Sequence, residues 1–337
     1  MGISEYAKVF MGTLDKQMLE GATSGWMEKN AGQVKYCGGN EVKLPKLSLS
    51  GLGDYDRTGG FAEGAITFQY ETLSLTQDRG RTFQLDAMDV DETNFGLAAG
   101  NVLGEFQRTQ VIPEVDAYRY SSIASKAITK SRSSEYTPDK STILHELLTD
   151  LARIQDVTGD GTEIVITMPV PVGCLLKEAT GMTHSLDVGD FRQGSACFRV
   201  KLLDGCPIIQ VPSARMKTAY TFLDGATEGE EDGGFEADED ALDINWILAV
   251  REAPVAVSKT DVSRIFDPMT NQKANAWKID YRKYHDLWIP DQAWDGVWVS
   301  VKPTEEEGGG DGNGGDGNNG GDGNNGGNGN NGGNGEE

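Results

Sequence analysis

Few residues of this 337-residue chain are spaced for chemistry. His145 and Glu146 open the run HELLTD, but the second histidine that a zinc-binding H-E-x-x-H helix requires is absent. TGDGT at 158–162 is rich in turn formers, yet no G-K-[ST] follows to hold a phosphate. Ser195, in QGSAC, is not framed as the G-x-S-x-G of a nucleophile elbow. His184 and His285 stand in unrelated contexts. The four cysteines, Cys37, Cys174, Cys197 and Cys206, form no CxxC pair and read as buried free thiols. The acids of 224–243 do not follow the D-x-D-x-D-G-x5-E calcium spacing. The residues thus predict no catalytic site, no metal and no cofactor, and the expected function is not enzymatic.

The charge distribution narrows the class further. The formal net charge is −23. Ten acids lie in 224–243 and eight in 305–337, neither segment holding a Lys or Arg, so the remainder stands near −5. A folded body that mildly acidic excludes binding of nucleic acid through a basic surface. The start, MGISEYAKVF, has no basic run followed by an apolar one, position 6 is Tyr rather than the Ser or Thr of a myristoylation site, and no apolar stretch reaches membrane-span length.

Residues 1–40 mix short helical signals with glycine breaks and are expected to be weakly ordered on their own. Runs 42–49 and 65–76 read as strands flanking GLGDYDRTGGFAEG, with Pro45 marking an edge and a change of alternation near Leu73 and Leu75 suggesting a bulge or twist. DRGR at 78–81 reads as a tight turn, and 81–88 as a half-buried strand with Phe83, Leu85 and Ala87 on one face. Asp89, Asp91 and Glu92 offer a helix cap. Phe95, Ala98, Ala99, Val102, Leu103 and Phe106 continue as an apolar stripe, and Pro113 is expected to kink the helix before 114–128 extend it. An amphipathic helix is predicted over 139–156, with Ile143, Leu147, Leu151 and Ile154 on one stripe. Short strands follow as a second strand-rich lobe, interrupted by the acidic segment 224–243 as a mobile surface loop, and WIPDQAWDGVWVSV reads as a closing aromatic strand pair.

Four blocks in one order, GLGDYDRTGGF at 51–61, LTQDRGRTFQLDAMDVDET at 75–93, QVIPEVDAYRYSSIA at 110–124 and WKIDYRKYHDLWI at 277–289, resemble the major capsid protein of tailed bacteriophages. The resemblance covers most of residues 40–300. It implies an α+β, Hong Kong 97-type phage capsid fold with an N-terminal arm, an extended hairpin loop, a long spine helix, and peripheral and axial domains. Mapped onto this chain, it gives an arm over 1–41, an extension-loop hairpin over 42–80 and a peripheral domain over 81–163 with the spine helix at about 90–128. An axial domain over 164–275 carries the acidic loop 224–243, return strands occupy 276–303, and a Gly/Asn/Asp-rich low-complexity tail fills 304–337.

The implied function is self-assembly into the icosahedral head that encloses the double-stranded DNA genome, without sequence-specific binding. The implied partners are the chain itself, as pentamers and hexamers, with a separate scaffolding protein, a portal and decoration proteins, and no membrane. The implied location is the virion capsid, assembled in the bacterial host cytoplasm. Asp54, Asp56 and Arg57 at the hairpin tip, with Arg79 and Arg81 beneath it, become candidates for intersubunit contacts. No Lys, Asn and Glu trio for covalent crosslinking can be matched. The shell of a cellular nanocompartment shares the implied fold, and a phage decoration or adhesin protein would account for the tail, whose GDGNNG and GNGNNG hexads begin at Gly315. That tail has no apolar residue to bury, so disorder is its expected state, with a three-residue helix packed on its own copies as the alternative.

Overall fold

The computed structural model describes residues 21–36, 38–87, 95–179, 187–193 and 196–304. The capping residues Asp89, Asp91 and Glu92, Cys37, His184 and the glycine tail lie outside them. In chain order, β1 (Lys35–Tyr36), β2 (Glu41–Leu49) and β3 (Ile66–Ser74) precede β4 (Gln77–Asp86). A long helix follows, as α1 (Phe95–Phe106), a π-helical turn (Gln107–Val111) and α2 (Ile112–Thr129). Then come β5 (Ser133–Glu135), α3 (Ile143–Thr158), β6 (Ile164–Pro169), α4 (Val170–Glu178), β7 (Asp187–Gln193), β8 (Ala196–Leu203) and β9 (Cys206–Val211). The last strands are β10 (Tyr220–Leu223), β11 (Gly234–Ala237), β12 (Ile244–Val250), β13 (Val255–Phe266), β14 (Ala276–Trp288) and β15 (Val297–Val301).

A seven-stranded sheet in the order β5-β15-β12-β6-β9-β8-β7 forms the centre. Its inner strands are apolar on both faces because both faces are covered. Trp246 and Leu248 of β12 pack with Ile143, Leu147, Leu151 and Ile154 of α3, whereas Ile247 and Ala249 face Tyr120, Ile123, Ala124 and Ala127 of α2. Each fully buried Leu or Ile in such a layer contributes about 1.5–3 kcal/mol of transfer free energy. The strands expected to build a separate second lobe thus join β5 and β15 in one sheet.

Four further expectations are revised. Residues 21–36 are not weakly ordered: Trp26 and Met27 sit in the main core, because Thr23 and Ser24 satisfy the buried Asp116 carboxylate through both backbone N–H groups and both hydroxyls. DRGR is strand, not turn, since β4 runs from Gln77 and pairs along β14, Gly80 opposite Arg282. The β2–β3 ladder is regular from Glu41↔Ser74 to Leu49↔Ile66, so the changed alternation marks the end of β3 rather than a bulge. The two halves of the aromatic run do not pair with each other. β14 lies between β13 and β4, and β15 between β12 and β5, with a 3-10 turn at Asp291–Gly296 in between.

Pro113 falls where the long helix departs from regular α geometry. It lacks the N–H of a regular helix, and its ring crowds the carbonyl four residues earlier. The π-helical turn at Gln107–Val111 lies just before it and widens the backbone there.

Candidate functional site

Strands β2 and β3 make a hairpin whose two faces differ in kind. Residues opposite each other in an antiparallel ladder point the same way. The pairs Pro45↔Tyr70, Leu47↔Phe68 and Leu49↔Ile66 therefore share one face, while Lys46↔Gln69 and Ser48↔Thr67 share the other. The apolar face is open to solvent, with Phe68 56% and Ile66 76% exposed. Among the described residues no strand covers the edge at Pro45, since β1 pairs with Val42 and Lys43. On the polar face Lys46 bonds Asp291 (3.1 Å), and Gln292 Nε2 donates to the Leu47 carbonyl (2.7 Å).

The tip is built rather than slack. Asp56 and Gly60 exchange backbone hydrogen bonds (3.0 and 2.7 Å), and the Asp56 carboxylate accepts from the Thr58 N–H (2.9 Å). The Tyr55 and Phe61 rings pack at 4.9 Å, although both are exposed. Asp56 thus shapes the turn, and Asp54 and Arg57 are exposed beside it. With Leu52, the tip and this face leave several large apolar side chains of one hairpin exposed, of a kind that isolated soluble proteins avoid.

Arg79 and Arg81 lie elsewhere, on one face of β4. Arg79 donates to both oxygens of Glu114 (2.7 and 3.3 Å), to the Leu223 carbonyl (2.8 Å) and to the Gly234 carbonyl (3.0 Å). Arg81 donates to the Glu231 carbonyl (2.8 Å). Both arginines therefore hold the acidic segment, which is a second hairpin of β10 and β11 in the register Tyr220↔Ala237 to Leu223↔Gly234. It is not the mobile loop that its charge suggested. Its turn is capped by Asp224, which accepts from the Ala226 and Thr227 N–H groups and from the Thr227 hydroxyl. Hydrogen bonds from Thr227, backbone and hydroxyl, with one from Ala226, lower the Asp224 carboxyl to about 2. The structure thus separates the sequence candidates into an exposed tip group and an arginine clamp. Sequence reading missed the clamp, though the basic DRGR and an acidic run without bases were complementary signals.

A cleft of about 850 Å³ lies between β4, the long helix and the acidic hairpin, lined among others by Arg79, Phe106, Gln110, Tyr281 and His285. Burial first, then the charges of Arg119, Lys283 and Arg79, hold the His285 imidazole well below its ordinary value, so it is neutral. Glu114, opposite, is spent on Arg79. Among the described residues no three His, Cys, Asp or Glu side chains are grouped to hold a metal ion. His145 is exposed on α3, and no helix among the described residues is long and apolar enough to cross a membrane.

No protein-family model matches the chain, and no curated protein sequence matches it significantly. Solved structures do. A chain from Gordonia phage Cozz aligns with a TM-score of 0.51 at 15% identity, covering 79% of this chain and 82% of that one. One from Mycobacterium phage Adephagia gives a TM-score of 0.50 at 12% identity, with 84% and 89% covered. A structure described as the asymmetric unit of the bacteriophage PhiM1 mature capsid aligns at a TM-score of 0.47 and 14% identity, over 79% and 83%. The mixed, sheet-rich fold of this chain is similar to that of the Cozz and Adephagia phage chains.

Proposed function

We propose that the chain is a structural subunit that assembles with copies of itself into the icosahedral shell of a tailed-phage head. The observation that carries this reading is the β2–β3 hairpin, an ordered two-stranded element with an exposed apolar face and aromatic tip, on a body with the phage fold. Two strands alone bury too little to justify so regular an element. A neighbouring copy supplies the missing cover, and Pro45, which has no N–H to donate, limits indiscriminate strand pairing at that edge. In this reading the hairpin is the extension loop, the helix from Phe95 to Thr129 is the spine, and the double-stranded genome is enclosed without sequence-specific contact. A separate scaffold and a portal complete the head within the host cytoplasm.

Asp54 and Arg57 contact the neighbour directly in this reading. Arg79 and Arg81 act at one remove, by fixing the acidic hairpin. The test is electron microscopy with light scattering on the full chain, expressed alone and with its neighbouring genes. Closed shells or tubes are expected; monomers in both cases would overturn the reading.

A further inference from the structure

We propose that Asp286 fixes the direction in which the extended hairpin leaves the body, as the shared acceptor of a latch closed by Thr76 and Tyr118. The inference rests on the reading of that hairpin as an assembly element. Between Ser74, the end of β3, and Gln77, the start of β4, only Leu75 and Thr76 intervene, so the chain passes from one sheet to another across two residues. The β4–β14 ladder stops at Gln77↔His285, which leaves the Thr76 N–H beyond the last strand pair. Asp286, one residue further along β14 and 2% exposed, takes that place. Its Oδ2 accepts from the Thr76 N–H (2.9 Å) and hydroxyl (2.9 Å), and its Oδ1 from the Tyr118 hydroxyl (2.6 Å) and the Leu287 N–H (2.7 Å). Thr76 Oγ1 and the Tyr118 hydroxyl lie 3.1 Å apart, which closes the triangle.

A carboxylate suits this position because all four partners donate to it, and an acceptor with two oxygens can satisfy them together. Tyr118 stays a donor, since burial and the Asp286 charge push its phenol up to about 12. Leu75 also holds the link: its side chain is buried with Val42, Leu44, Val255, Val257 and Trp288, and its carbonyl accepts from the Tyr284 hydroxyl (3.1 Å). Apolar contact has little directionality, however, and hydrogen bonds do. The latch therefore sets the angle at the root of the hairpin, with the Lys46–Asp291 and Gln292–Leu47 bonds further along it, and ties it to the middle of α2, whose Tyr118 ring also packs on Phe222 of the acidic hairpin (5.8 Å).

The experiment measures, in the full-length chain, the distance between spin labels on Glu63→Cys and Ser141→Cys in a Cys37→Ser, Cys174→Ser, Cys197→Ser background that leaves the buried Cys206, and, in the unlabelled chain, assembly by light scattering. Thr76→Val and Tyr118→Phe remove hydroxyl donors while keeping size; Asp286→Asn removes the shared acceptor. The expected result is a tip-to-body distance distribution at least about twice as broad and a critical assembly concentration raised about tenfold, with the Asn variant affected most. Should Asp286→Asn fail to fold, the two hydroxyl variants decide. Folded variants with the parent's distance distribution and assembly would overturn the latch. If the distribution broadens but the parent itself never assembles, the latch stands and the assembly reading falls.

Discussion

At the scale of single residues, Arg79 satisfies four acceptors with one guanidinium, a geometry that an ammonium cannot reproduce. Arg79→Lys should lower stability by about 2 kcal/mol and release the β10–β11 hairpin. Urea unfolding and amide exchange at Phe222 and Phe235 check this, and a loss below 0.5 kcal/mol would refute the clamp. His285 gives a pH dependence of definite sign. Its unfolded imidazole takes a proton near 6.5, whereas the folded one, buried and beside Arg119, Lys283 and Arg79, resists until well below. The unfolded state therefore binds more protons, and stability falls as pH drops below about 6.5, by up to about 1.4 kcal/mol per unit. His285→Gln should flatten the slope of urea midpoints between roughly pH 6.5 and 5.

Elements respond differently according to what covers them. In β4, a Cβ on Gly80 would lie 2.7 Å from the Tyr281 carbonyl oxygen, so Gly80→Ala must push two strands apart and should cost about 2–3 kcal/mol in unfolding measurements. In the hairpin, Phe68→Glu and Ile66→Glu alter side chains that the subunit leaves exposed. Each should change monomer stability by less than about 1 kcal/mol while abolishing shells in electron micrographs. Unaltered shells would show that this face is not an interface. The contrast was half legible in the sequence. The hairpin and its turn residues were plain, but an alternating strand does not say whether its apolar face meets its own body or another molecule. The charge density of the acidic hairpin suggests mobility because the two arginines that hold it lie 144 to 155 residues away in the chain.

For the whole molecule, the dominant long-range term is like charge. Copies carrying −23 each repel, and salt screens that repulsion over about 8–10 Å at physiological strength. Assembly should therefore quicken as ionic strength rises from about 0.05 to 0.5 M, read by light scattering. The core closes at Val301, 2% exposed, and the described residues end at Thr304. Truncation after Thr304 should leave the melting temperature of the body within about 2 °C, a shift smaller than that of a 1 kcal/mol change.

The amino-acid order alone determined the local elements: the hairpin around its glycine-rich tip, the stripe of Ile143, Leu147, Leu151 and Ile154, the apolar runs of β6 and β12, and the break at Pro113. Each follows from nearest-neighbour chemistry and the 2.0 or 3.6 periodicity of side chains. The tertiary structure decided which elements meet. It put β5 and β15 into the central sheet, drew Trp26 into the core, spent Arg79 on Glu114 and two distant carbonyls, and placed Asp286 at the end of a strand ladder where Thr76 needs an acceptor. Those pairings join residues far apart in the chain, and the loop entropy they overcome is offset only by the packed whole, so no local pattern encodes them.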